Sequence, residues 1–79
     1  MNSNTNAEHD TFAPRSSWVD KVIFDFDKLR AIIITKAGQE YLVEGFTTEE
    51  LRSFRFADSY GRWFHQHIRN RKTIQKILG

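Results

Sequence analysis

Between residues 18 and 44 three short apolar stretches, 18–26, 29–35 and 40–44, are divided by two brief polar breaks, Asp27-Lys28 and Lys36-Ala37-Gly38-Gln39. Breaks this short admit hairpins, because a parallel connection needs a crossover of a dozen or more residues. In the first stretch Val22, Phe24 and Phe26 share one parity and Lys21, Ile23 and Asp25 the other, which is the period of a strand. Trp18 fits the first parity and Val19 does not, so a bulge is expected near Asp20. Gly38 can take the left-handed conformation that the second hairpin loop needs. The pattern predicts a three-stranded antiparallel meander.

Helices follow. Thr47-Thr48-Glu49-Glu50 is a helix start in which Thr47 can accept from the Glu50 N–H and the Glu50 carboxylate can reach back. Leu51 and Phe54 then face inward. Asp58 or Ser59 caps a second helix, along which Tyr60, Phe64 and Ile68 form one stripe. Ile74, Ile77 and Leu78 make a separate i, i+3, i+4 set. Ile74 lies about 240° around an ideal helix from Ile68, so one straight helix cannot place both sets on one face. The expected fold is α+β: the meander, two α-helices and a short C-terminal helical segment. Residues 1–15 read as a disordered N-terminal tail, 16–70 as the domain and 71–79 as a helical extension.

Composition excludes several classes. With 79 residues, 39% hydrophobic and 28% charged, the chain is an ordinary globular sequence of one domain at most. It has no cysteine, hence no disulfide framework, thiolate zinc site or catalytic thiol. The longest apolar run, Ala31-Ile32-Ile33-Ile34, is too short to span a bilayer. No basic residue precedes an apolar stretch at the start, as a secretory signal requires, so the expected location is cytoplasmic. Net charge is +2, unevenly spread: residues 46–79 carry seven Lys/Arg against Glu49, Glu50 and Asp58, with no acid after Asp58. Such a cationic end attracts phosphate or an acidic protein surface.

The residues that resemble a known family are Ser16-Ser17 ahead of the first strand, Phe24-Asp25, Gly38, Tyr41-Leu42-Val43, the stretch Ala57-Asp58-Ser59-Tyr60-Gly61-Arg62-Trp63-Phe64, and Ile68-Arg69. Together they resemble the KTSC domain, named for the C-terminal segment of some lysyl-tRNA synthetases and found also as a free-standing protein of bacteria and phages. The resemblance spans about residues 16–70. It implies a fold and, through the synthetase context, RNA binding. Two positions depart from the pattern. Tyr41-Leu42-Val43 lacks the second aromatic of a Y-x-Y, and Phe46-Thr47 stands where the family has Val-Pro.

No residue set reads as catalytic, and no cofactor or metal is expected. His65 and His67 point about 200° apart on a helix and cannot share a metal. Ser59 is explained by capping, and Asp25 and Asp27 by the turn. The leading expectation is a non-enzymatic nucleic-acid-binding module for RNA or single strands. It would use Arg52, Arg55, Arg62, Trp63, Arg69, Arg71 and Lys72, which set phosphate-binding cations among aromatic stacking surfaces, Phe56 included. The alternative is a phage-type regulator that binds a host protein of the transcription or replication machinery, in the host cytoplasm. It rests on the second parity of the meander, Ile32, Ile34 and Leu42, which one layer of helices leaves bare. The segment with Ile74, Ile77 and Leu78 folding over that face, a homodimer or a partner protein would each cover it. An accessory structural subunit is a third reading.

Overall fold

The computed structural model describes residues 9–69 and 71–79. One antiparallel sheet of five strands in the order β1-β2-β3-β4-β5 carries two helices on one face. The expected meander forms its middle: β2 (Val19–Asp25), β3 (Arg30–Thr35) and β4 (Glu40–Glu44). The register of β2 on β3 shifts between Val19 and Lys21, so the bulge at Asp20 is present. The first turn is longer than the expected Asp27-Lys28 pair, occupying residues 26–29. There the Asp25 carboxylate accepts from the N–H groups of Asp27 (3.1 Å) and Lys28 (3.0 Å), and Leu29 takes a positive φ of 54°. At the second turn Gly38 adopts φ 90°, as the hairpin requires.

Two expectations are corrected. The segment 1–15 is not wholly a tail, because β1 (His9–Phe12) pairs with β2 along the register His9–Asp25 to Phe12–Val22. The remainder of that expectation, residues 1–8, lies outside the described residues. The C-terminal segment is not a helix but β5 (Ile74–Leu78), paired antiparallel with β4. The free edge of β4 offers backbone donors and acceptors that a separate helix would leave unused. Ile74 pairs with Val43 and joins the core, while a register shift between Glu40 and Tyr41 leaves Ile77 as the extra residue. That irregularity hides the two-residue period and lets Ile74, Ile77 and Leu78 imitate a helical stripe.

The helices are α1 (Thr48–Arg55) and α2 (Tyr60–His67). Thr47 and Glu50 form the expected capping box, with bonds of 3.0 and 2.9 Å, and Ser59 caps α2. After Ile68 the chain reverses: Arg71 and Lys72 N–H groups both donate to the Ile68 carbonyl at 3.0 Å. The core lies between the helices and the sheet face bearing Val22, Phe24, Ala31, Ile33 and Val43. Its centre is aromatic. Phe54 of α1 lies 4.7 Å from Trp63, 4.9 Å from Tyr60, 5.5 Å from Phe24 and 6.2 Å from Phe46, centroid to centroid. No helix among the described residues is long and apolar enough to cross a membrane.

Phe54 therefore joins sheet, both helices and the β4–α1 link. Phe54→Ala is expected to lower stability by about 3–5 kcal/mol, the cost of truncating a buried phenylalanine. For a domain this small that leaves a largely unfolded chain; urea melts followed by circular dichroism measure it.

Candidate binding surfaces

The predicted cationic set does not act as one surface. Arg55 is half-buried and tied to β1: its Nε donates to Asp10 Oδ2, and its guanidinium lies 4.1 Å from the Phe12 ring centroid. The Asp10 bond holds the Arg55 pKa above its ordinary value. Lys72 is committed as well, donating to the Gly45 carbonyl (2.9 Å) and to Glu50 Oε1 (3.0 Å), with its side chain 8% exposed. The Thr47 backbone bond, with Lys72 beside it, lowers the Glu50 pKa. Trp63 is buried rather than available for stacking: it is 7% exposed, donates from Nε1 to Ser53 Oγ (3.1 Å), and stacks on His67 at 4.2 Å. Indole faces buried on both sides by Phe54 and His67 have no room for a base. Arg52, Arg62, Arg69 and Arg71 remain exposed, and none has a carboxylate partner among the described residues. Phe56, 71% exposed at the end of α1, is the aromatic that stays open, with the Arg55 guanidinium 4.9 Å away.

The second sheet face is organised by register. One row runs Thr11, Ile23, Ile32, Leu42, Gln75 across the five strands, and the next runs Lys21, Ile34, Glu40, Leu78 from β2 to β5. Ile23, Ile32, Ile34 and Leu42 are half-buried and stand outside the core cluster. No described element covers them. The expected folding-over of Ile74, Ile77 and Leu78 is corrected: β5 extends the sheet sideways, and Ile77 and Leu78 are 44% and 56% exposed. At the far end of this face Arg30 Nε donates to Asp25 Oδ2 at 3.3 Å, and Glu44 follows them in the same row.

A third feature escaped the sequence reading. On the helix side, a cavity of about 360 Å³ opens between Trp18, Phe64, the strands β3 to β5 and Arg69. Trp18 packs edge-on against Phe64 at 5.4 Å, and its backbone N–H is held by Ser16 Oγ (3.3 Å). Gly61 eases this contact, because a Cβ there would sit 3.3 Å from Trp18 Nε1 and push the indole back by a few tenths of an ångström. Ser16, Tyr41, Gly61, Phe64 and Arg69 were all visible as parts of the family resemblance; their meeting at one place depends on tertiary structure. No group of three or more metal-ligating side chains gathers among the described residues.

The crystal structure of a KTSC domain protein from Yersinia pestis shares this fold, with a TM-score of 0.74 and 24% identity, over 87% of this chain and 97% of that chain. The resemblance read from the sequence is thus met in the architecture. No family model matches the chain, and no curated protein matches it.

Tyr60 reports on the β1 closure. Its hydroxyl donates to the Arg55 carbonyl at 2.6 Å, and burial pushes its pKa up to about 12, the Arg55 charge acting in the opposite direction. A folded-state value above the unfolded one of about 10 means that the unfolded chain loses the proton first. This contribution is complete below pH 10 and is lost as pH rises to about 12. Tyr60→Phe is expected to cost about 1 kcal/mol at neutral pH and to remove this part of the alkaline decline. Urea midpoints at neutral and alkaline pH, with phenolate absorbance of the two tyrosines, measure both effects.

Proposed function

We propose that the chain is a protein-interaction module that works through the uncovered sheet face, and that the partner this face fits is a second copy of the chain. One observation carries the reading: Ile23, Ile32, Ile34 and Leu42 occupy adjoining register positions on a face that no described element covers. A sheet face left to water ordinarily carries polar side chains, and a contiguous apolar patch on a small protein marks a contact.

The charges around the patch favour self-pairing. Lys21 flanks Ile34 on β2 and Glu40 flanks it on β4, and neither has an ion-pair partner among the described residues. A two-fold axis parallel to the strands lays β2 of one copy over β4 of the other. Lys21 then faces Glu40 of the second copy twice, with Ile34 against Ile34 between. In the last row Arg30 meets Arg30 of the second copy and Asp25 meets Glu44, like charges that the Asp25–Arg30 bond within each copy offsets in part. A two-fold axis across the strands, through the Ile32 row, would instead set Ile34 against Arg30 and oppose Glu40 and Glu44, so the Ile34 contact is lost. Aligned sheets pack about 10 Å apart with strands within about 30°, a gap that lysine and glutamate side chains bridge.

Sedimentation is expected to give a dimer. Lys21→Glu and Glu40→Lys should each weaken it, and the double exchange should restore it, while Ile34→Asp should give a monomer. A wild-type monomer at the highest attainable concentration, or a double exchange no better than the single ones, overturns the reading.

Nucleic-acid binding is the second reading, favoured by the four exposed arginines Arg52, Arg62, Arg69 and Arg71 and by the open Phe56 ring. Fluorescence anisotropy with single-stranded RNA and DNA tests it. Contacts to several phosphates require affinity to fall steeply with salt, and Arg62→Gln should flatten that slope.

A further inference from the structure

We infer that the cavity beside Trp18 is a binding site for a small apolar acid, a flat or aliphatic body bearing one carboxylate. The site lies on the helix side of the sheet, opposite the proposed contact face, and is independent of it. Its origin is geometric. Each helix has eight residues and reaches about 12 Å, while five strands span about 19 Å from first to last. The helices close over Phe24 and Phe54, and beside the β4–β5 margin Phe64 and Arg69 line an open space.

The floor is Ile33, Tyr41 and Ile74, from three adjacent strands, and the wall is the Trp18–Phe64 pair. Tyr41, Ile74, Phe64 and Trp18 are all half-buried, so apolar surface of the core layer stays accessible here. At about 360 Å³ the space falls within the range of small-molecule pockets, about 300–1,000 Å³. Its polar groups are few. The Tyr41 hydroxyl bonds to Gln39 Oε1 at 3.1 Å, and the Gln39 N–H donates to Thr35 Oγ1 at 3.0 Å. These fix the hairpin side of the wall. Arg69 is the cation of the rim. Its guanidinium meets His65 Nδ1 at 3.3 Å and has no carboxylate among the described residues. An apolar hollow with one uncompensated guanidinium selects an apolar body with an anionic end, because a charge-assisted bond to carboxylate is stronger than one to a neutral group.

The wall is also built to hold still. Ser16 Oγ accepts from the N–H groups of Trp18 and Val19, and the Trp18 carbonyl accepts from Lys36 at 2.8 Å. Gly61 admits the indole against α2. These bonds fix the backbone at Trp18 before any ligand arrives, and the T-shaped packing on Phe64 holds the ring, so little ordering cost remains for binding.

The probes are 2-naphthoate and its neutral counterpart 2-naphthamide, titrated into nitrogen-15-labelled protein. The indole N–H of Trp18 should shift saturably, that of Trp63 should not, and the amides of Ile32, Ile34 and Leu42 should stay in place. Naphthoate should bind about tenfold more tightly than naphthamide, and Arg69→Gln should erase that preference while keeping the folded spectrum. Shifts confined to the open sheet face, no saturation, or an unchanged preference in Arg69→Gln would overturn the assignment.

Discussion

The structure depends on where one ring sits. Phe54 touches Phe24 from the sheet, Phe46 from the link after β4, and Tyr60 and Trp63 from α2. Aromatic pairs at these separations add directional preference to the area they bury, so the cluster fixes how the helices cross the sheet as well as holding them there. That crossing decides which surfaces are left. Trp63 is drawn inward and ceases to be a recognition surface. Phe56, two residues after Phe54 on a helix that ends there, is turned outward.

What could be read from residues alone divides along the range of the forces involved. The central strands, the bulge at Asp20 and both helix caps are local: strand parity, a β-rich ladder and a Thr-x-x-Glu box state themselves within a few residues. The face carrying Ile32, Ile34 and Leu42 was legible for the same reason, since parity alone assigns it. β1 and β5 are not local. His9-Asp10-Thr11-Phe12 has no periodicity to display, and it becomes a strand through pairing with β2, through Phe12 against Tyr60 at 5.9 Å and through Asp10 on Arg55. The cavity was illegible as a site because its lining comes from segments of the chain as far apart as Trp18 and Ile74.

The missed strands and the overcounted cations are one error seen twice. A basic residue between aromatics on a short amphipathic helix has the same local pattern whether it faces phosphate or fastens a neighbouring segment. Arg55 fastens β1 through Asp10 and Phe12. Lys72 fastens the turn that leads into β5 through the Gly45 carbonyl, Glu50 and the face of Phe46, 4.8 Å away. Without β1 in view Arg55 has no partner and looks free, and without the turn into β5 Lys72 is not seen to reach Gly45 and Glu50. Once β1 is placed, Arg55 is withdrawn from the available arginines.

Widening the sheet has a consequence on each of its faces. Two helices of this length cover a three-stranded meander well, but each added strand carries the sheet past their reach. On the helix side the excess appears as the hollow bounded by Ile74 and Arg69. On the other side the rows begun by the isoleucines run on into Leu78 of β5, which adds apolar surface, and into the polar Gln75 of β5 and Thr11 of β1. The two candidate surfaces therefore both follow from a single helical layer: on its own side it stops short of β5, and the opposite face has no described layer at all. They differ in what satisfies them. A flat field of isoleucine edged by Lys21 and Glu40 needs an equally broad and flat partner. A hollow walled by Trp18 and Phe64, with Arg69 in its lining, suits a small molecule instead.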